Sequence, residues 1–285
     1  MDKISNILVT GPSGNVGREV IKNLLKTKEK IFAADLHKEA ISILFGDSIK
    51  FRKLDFYDRK TLAPCLNKID RIFLMRPPQI GNVQKYMFPF INLIKKKGVD
   101  HVITLSIADA NPMVPHYKIE KHLEELEIPY THLRAGYFMQ NLSTTHKEPI
   151  QKEKDIFIPA GDAKLSFTDV RDIGEVAAKL LHTGECKNQI IHITGSEVLD
   201  FHEVAKKMRL ILKQPIKYSN PTGRAFKKKM LHYGFDKGMI RVMRMIYFAA
   251  KKKKSDTIYD DFERIMGKKP ISIERFIKDY AEYWI

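Results

Sequence analysis

Short, wholly apolar runs alternate with stretches whose apolar positions recur every three or four residues through the first half of the chain. Runs such as Ile7-Leu8-Val9 and Ile72-Phe73-Leu74 have no polar face, as expected of strands covered on both sides. The pattern predicts a first strand over about Ile4–Thr10, a helix from Asn15 to about Lys26, and a second strand at Ile31–Ala34 ending on Asp35. A third strand is expected near Ile49–Leu54, ending at Asp55, and a fourth at Arg71–Met75, stopped by Pro77-Pro78. A helix through about Val83–Lys97, closed by Gly98, leads to a fifth strand at His101–Leu105 that reaches Ser106. A helix over about Tyr117–Leu126 then precedes a sixth strand at Tyr130–Arg134.

Farther on, Phe157-Ile158-Pro159 and Leu165–Thr168 read as extended, Asp169–Leu181 as a helix, and Gln189–Ile193 as another apolar strand. From Phe201 onward the periodicity is helical: Phe201–Leu212, Gly223–Tyr233, Lys237–Lys252, Asp256–Met266 and Ser272–Tyr283. Strands alternating with helices imply a parallel sheet with crossover helices. The expected fold class is α/β, a doubly wound parallel sheet of Rossmann type with a smaller, mainly helical C-terminal substrate lobe. Residues 1–150 are expected to form the dinucleotide-binding core, and 151–285 to return partly to that core and supply the lobe. The site is expected in the cleft between them.

With 285 residues, 44% hydrophobic and 29% charged, the chain has the composition of a soluble globular protein. No apolar run is long enough to span a membrane, and a strand begins almost at the N-terminus, so the expected location is the cytoplasm. Cys65 and Cys186 are far apart and lack metal-type spacing; they are expected as reduced thiols, with no metal site. The net charge of +16 raises the question of a nucleic-acid partner. Its lysines are scattered apart from Lys95–Lys97, Lys227–Lys229 and Lys251–Lys254, and none of these runs is interleaved with aromatics. The charge is therefore read as a solvated surface that steers anionic cofactors, without nucleic acid or membrane as partner.

The strand Ile7–Thr10 runs into Gly11-Pro12-Ser13-Gly14-Asn15-Val16-Gly17, three glycines spaced three apart and followed by a helix. Gly11 suits a sharp turn, Gly14 a close approach of backbone to phosphate, and Gly17 close helix–strand packing. The amides of Ser13, Asn15 and Val16 at the helix start would face a dinucleotide diphosphate. In such sheets ligands lie beyond the carboxyl ends of the strands. Asp35, 24 residues after Gly11, would accept hydrogen bonds from ribose hydroxyls and repel a 2′-phosphate. That favours NAD over NADP, although Lys38 nearby would tolerate a phosphate, so either cofactor is carried forward. Asp55 and Phe56 are candidates for the adenine. Met75, Arg76 and Pro77 are candidates for a wall beside the dinucleotide, with Arg76 able to neutralise an acid.

Four residues raise the catalytic question: Ser106, His116, Tyr117 and Lys121. Tyr117 and Lys121 share a helix face, where an ammonium lowers a phenol's pKa and prepares it to protonate a carbonyl receiving hydride. With Ser106 they form the set used by short-chain dehydrogenases. An equally ordinary reading of a Tyr and a Lys four apart is coincidence.

The glycine loop, Phe73-Leu74-Met75-Arg76-Pro77-Pro78, Val102–Ser106, His116 with Glu120, Ile128–Arg134, Phe138-Met139-Gln140-Asn141, Phe167–Ala178, Ile193-Thr194-Gly195 and Met266–Trp284 together resemble the NmrA-like group of atypical short-chain dehydrogenases/reductases. The resemblance implies a Rossmann-type NAD(P) domain and a smaller substrate lobe. Members include quinone reductases, azoreductase-like proteins, ergot-alkaloid reductases and redox sensors that bind cofactor without turnover. Aligned on Glu120 and Thr131–Arg134, His116 falls where typical dehydrogenases carry their active-site lysine. The tyrosine position then falls near Pro112, and the Tyr117/Lys121 spacing becomes coincidental. At that place His116 would hold the nicotinamide ribose or carboxamide, or donate a proton near neutral pH. Tyr137, Phe138 and Asn141 follow the sixth strand and should line the substrate side, the aromatics serving equally as lobe–lobe packing or as a stacking platform for a flat acceptor.

Two functions follow as expectations. One is hydride transfer from NAD(P)H to a small flat acceptor such as a quinone or imine, by a monomer or homodimer. The other is a non-catalytic dinucleotide sensor acting through a protein partner. A sugar-nucleotide epimerase would need the Tyr117/Lys121 pair.

Overall fold

In the computed structural model of the chain, residues 4–252 and 257–285 are described. Lys253, Lys254 and Asp256, which the sequence assigns to a basic run and a helix start, lie outside the described residues. The chain divides into two compact units, one taking in the chain up to Ala135 with Val170–Ile193, the other Gly136–Asp169 with Thr194–Ile285.

Twelve strands occur among the described residues: β1 Asn6–Thr10, β2 Lys30–Asp35, β3 Lys50–Lys53, β4 Arg71–Leu74, β5 His101–Ile107, β6 Tyr130–Ala135, β7 Tyr137–Phe138, β8 Asp155–Ile156, β9 Leu165–Thr168, β10 Gln189–Ile193, β11 Val198–Leu199 and β12 Lys217–Tyr218. Seven of them build the first unit's sheet in the order β10-β6-β5-β4-β1-β2-β3, every pair parallel. The order steps outward from β1 in both directions, which makes the sheet doubly wound and puts a switch point between β1 and β4. Past their first residues the central strands β1 and β4 are fully buried, which is why they carry Ile7, Leu8, Val9, Ile72, Phe73 and Leu74. On one face the core gathers Leu8, Phe56, Ile72, Phe90, Ile94 and Leu123.

The helix Val170–Thr183 lies in this unit and packs along the helix Asn15–Leu24. The two approach so closely at Gly174 that a Cβ there would meet the backbone of Glu19 at 2.7 Å. The single helix expected over Val83–Lys97 is two, Val83–Tyr86 and Phe88–Lys96, because Pro89 lacks the N–H that would continue the first. The next helix starts two residues earlier than the periodicity implies, at Pro115, whose fixed φ suits a first helical turn.

The second unit is built on small sheets, β11-β9-β7 and β12-β8, and a group of helices. Its core holds Phe167, Phe201, Phe226, Tyr247, Phe276 and Trp284, with the Trp284 indole donating to the Leu142 carbonyl at 3.0 Å. The helix expected over Ser272–Tyr283 is Ile273–Asp279 followed by a short 3-10 turn, and the Asp256–Met266 helix begins only at Asp261. Among the described residues no helix is long and apolar enough to cross a membrane.

Candidate functional site

At the end of β1 the Thr10 hydroxyl donates to the Phe73 carbonyl at 3.1 Å and accepts from the Met75 amide at 2.8 Å. This ties β1 to the segment leaving β4. Gly11 follows in the left-handed region at φ +62°, and the Gly14 amide donates back to its carbonyl at 3.1 Å. A Cβ on Gly17 would run into the Gly11 carbonyl, and one on Gly11 into the Met75 methyl. The helix Asn15–Leu24 then begins with no side chain capping it and no acidic residue in its first turn. Its leading amides and the positive end of its dipole are left for an anion. One turn in, Arg18 has its guanidinium Nε buried without a partner. This loop fits a dinucleotide diphosphate: a glycine-lined cradle, an uncapped helix start and one buried guanidinium nitrogen without a partner.

Asp35 ends β2 and is tied to this loop, its Oδ2 accepting from the Ser13 hydroxyl at 2.8 Å. Its Oδ1 accepts from the amides of Leu36 at 2.7 Å and His37 at 3.3 Å. Lys53 is its register partner on the edge strand β3, and exposed Lys38 opens the following helix. The carboxylate is therefore already hydrogen-bonded and has lysines near it in the sheet and the chain, so its position lends no support to a preference for NAD.

Asp55 also shapes a turn, with Oδ1 accepting from the Tyr57 amide at 2.8 Å. The Phe56 ring packs edge-on to Phe90 in the core at 5.5 Å, so this ring is not offered to an adenine as the sequence suggested. Arg76 is committed as well. Its Nη1 donates to the carbonyls of Pro77, Pro78 and Ile80 at 2.9–3.1 Å, bracing the turn after β4. Its Nε donates to His116 Nε2 at 3.4 Å.

His116 opens a polar stripe, with Glu120 and Glu124 following at intervals of four on the helix Pro115–Glu125. In the sheet the register sets Thr104 beside His132 and Ser106 beside Arg134. Arg134 grips buried Glu120 through two hydrogen bonds, Nε to Oε1 at 3.1 Å and Nη2 to Oε2 at 2.6 Å. Burial works to raise the Glu120 pKa, but the hydrogen bonds from Arg134, with the Ser106 hydroxyl and His132 nearby, bring it below its ordinary value. His132 shares a 2.7 Å hydrogen bond with the Thr104 hydroxyl, stacks on Tyr130 at 4.2 Å, and lies 3.5 Å from Glu124.

Burial, then the Arg76 charge, lower His116 to about 4 against the opposing pull of Glu120. The imidazole is neutral at pH 7. Accepting from Arg76 at Nε2 assigns its proton to Nδ1, which is buried without a partner. The expectation of a proton released near neutral pH does not survive this environment.

Tyr117 and Lys121 do meet, but the ammonium sits over the ring, 5.6 Å from its centroid, and pairs with Glu124 at 2.5 Å. Ser106 belongs instead with Glu120 and Arg134. The expected Ser/Tyr/Lys set is thus divided between a surface pair and a buried seam.

A Gly-x-x-Gly-x-x-Gly loop, a doubly wound sheet and a His116/Glu120 helix now stand together, and the sequence profile of the NmrA-like family matches residues 3–283. The chain belongs to the NmrA-like family. It is 27% identical to prestalk A differentiation protein A of Dictyostelium discoideum over 96% of this chain and 92% of that protein. It is 25% identical to the NAD(P)H azoreductase of Xenophilus azovorans over 96% of this chain and 98% of that one. Its fold is that of the NADPH-dependent quinone oxidoreductase of Escherichia coli solved with NADPH, with TM-score 0.85, 20% identity, and 96% and 99% of the two chains covered.

In this NmrA-like chain the residues assigned to the substrate side fall in the second unit. The Tyr137 phenol hydrogen-bonds that of Tyr247 at 3.1 Å, and Tyr247 in turn meets His146 Nε2 at 2.5 Å. Burial pushes the Tyr137 phenol up to about 12, and its ring packs edge-on to Phe167 and Phe201. It is a partly buried side chain packed against this unit's core. Half-buried Phe138 pairs with Thr168 through β7 and β9, and half-buried Asn141 accepts the His146 amide at 2.9 Å.

Thr10, Arg18, Thr104, His132 and Glu124 escaped the sequence reading. A signal for most of them was present: polar residues at every second position inside apolar strands, facing polar residues at every fourth position of one helix.

Proposed function

We propose that this chain is an NAD(P)H-dependent oxidoreductase acting on a small, flat, electron-poor acceptor such as a quinone or imine. The uncapped helix start behind the Gly11–Gly17 loop carries the reading, since it presents backbone amides and helix dipole to a diphosphate. The azoreductase and quinone oxidoreductase among similar proteins support the same class. A bound reduced nicotinamide would supply the hydride.

The chain's own contribution is binding and positioning. The amides after Gly14 hold the diphosphate, Met75 covers the loop, and Arg76 braces the turn after β4, adding its charge to the burial that keeps His116 neutral. His116 offers a neutral N–H, a weak acid. That suits a quinone, whose reduced oxygen is a stable anion, or an imine already protonated to the iminium, whose nitrogen becomes a neutral amine on accepting hydride; it does not suit a simple ketone. Either dinucleotide is compatible, with Ser13, Asp35, Lys38 and Lys53 the side chains that would set the preference.

Steady-state assays with NADH and NADPH against quinones and azo dyes test this. Acceptor-dependent cofactor oxidation is the expected result. Cofactor that binds yet is never oxidised with any acceptor would contradict the enzyme and favour a sensor acting through a protein partner.

A further inference from the structure

In the second unit, the helices Gly223–His232 and Lys237–Lys252 follow one another and contact each other, with Arg244 on one set against Gly223 on the other. Residues 223–252 contain nine lysines and arginines against the single acidic Asp236, a net +8, half of the +16 carried by the whole chain. The longer helix is anchored through Ile240, Met243, Tyr247 and Ala250, all buried. Helical periodicity then turns Arg241, Met245, Phe248 and Lys252 outward together, with Arg244 and Lys251 on one flank and Ile246 on the other. Met245 is 61% exposed, Phe248 59% and Ile246 48%.

A purely solvated face has no use for three large apolar side chains within four residues. Nor does the mix suit nucleic acid, where the added contacts are flat rings for stacking rather than Met and Ile. Phe248 is itself covered by an ammonium, with Lys252 Nζ 4.7 Å from its centroid. Cations around a short apolar ridge on a surface helix match a layer of anionic headgroups over hydrocarbon. The ridge enters the acyl boundary, while Arg224, Lys227, Lys228, Lys237, Arg241, Arg244, Lys251 and Lys252 meet the phosphates. Lys229 stands apart, holding Glu153 at 2.5 Å and covering Phe157.

We propose that this helical pair is a docking surface for anionic phospholipid membranes, through which the protein binds peripherally and reversibly. Co-sedimentation of the full chain with vesicles of phosphatidylcholine alone, or with about 30% phosphatidylserine, tests it at low and high salt. The expected result is retention only on the anionic vesicles, released by about 0.5 M salt as surface charges are screened. Retention should weaken about tenfold or more in a Met245→Glu/Phe248→Glu variant, and by a similar factor in an Arg241→Gln/Arg244→Gln/Lys251→Gln/Lys252→Gln variant. Circular dichroism shows whether each variant is folded, and a Met245→Ser/Phe248→Ser pair replaces any that is not. Absence of binding to anionic vesicles at low salt overturns the proposal. So does undiminished binding by the folded ridge variants, which would mean non-specific adsorption. Tighter retention on a single-stranded oligonucleotide than on vesicles, unaffected by the ridge substitutions, would assign the surface to nucleic acid instead and also overturn it.

Discussion

The loop Gly11–Gly17 and the seam between the helix Pro115–Glu125 and β5–β6 belong to the same unit and are made of opposite materials. The loop works through main chain: amides, a carbonyl and two positions, Gly11 and Gly17, where a Cβ would collide. The seam works through side chains, each useful only because another element brings its partner, as Arg134 on β6 meets Glu120 on the helix. A backbone site depends on the absence of side chains and resists any addition. A side-chain site depends on pairs and fails when one member is left alone.

The sharpest break comes at Gly17. Replacing it with Val places carbon against the Gly11 carbonyl, where backbone must shift. Chemical denaturation should show a loss of about 2–4 kcal/mol, and dinucleotide binding should fall beyond detection. Unchanged stability and affinity would show that the loop has room the geometry denies.

At the seam, Arg134→Met leaves Glu120 buried without its partner, a loss of roughly 2–4 kcal/mol at pH 7. Adding Glu120→Gln should return much of that loss, which a double-mutant cycle measures directly. If the double variant is as unstable as the single ones combined, the pair is not acting as a unit.

Titration separates the two regions further, because the loop contains no strongly shifted group while the seam does. Histidine ordinarily takes its proton near 6.5, but His116 and His132 in the seam, and His101 at the start of β5, are held to about 4 chiefly by burial. The unfolded chain therefore binds more protons than the folded one between these values, and stability should fall as pH drops from about 6.5 to about 4. Glu120, depressed in the fold, adds stability above its unfolded value that is lost at still lower pH. His132→Phe should remove about one proton from the slope in the upper window, read from denaturation midpoints across pH. An unchanged slope would mean that His132 titrates normally.

The smallest effect belongs to the surface pair. Lys121→Ala should change stability by no more than about 0.5 kcal/mol, since both partners keep contact with solvent. With Tyr117→Phe, activity should stay within about twofold. A collapse of activity would restore the Tyr117/Lys121 pair to the chemistry.

The same contrast explains what could be read before the structure. Glycine spacing, apolar runs and the Asp35 strand end are local signals, so the parallel sheet and its loop were legible in one dimension. The helix break at Pro89 was written in the chain but masked by continuous apolar periodicity on either side. The seam was not legible as a unit because the β5–β6 register decides that Ser106 stands beside Arg134, and register is a property of two segments. Tyr137 and Phe56 stayed open in the sequence for a related reason. Aromatics beyond strand ends suit ligands and packing alike, and only the structure sets Tyr137 edge-on to Phe167 and Phe201, and Phe56 edge-on to Phe90.

Calorimetric titration of the folded chain with NADH and NADPH probes the backbone cradle most directly. Saturable one-site heat with at least one of them below about 1 mM, suppressed by competing pyrophosphate, is the outcome expected here. Silence with both at millimolar concentration, from protein shown to be folded, would contradict it.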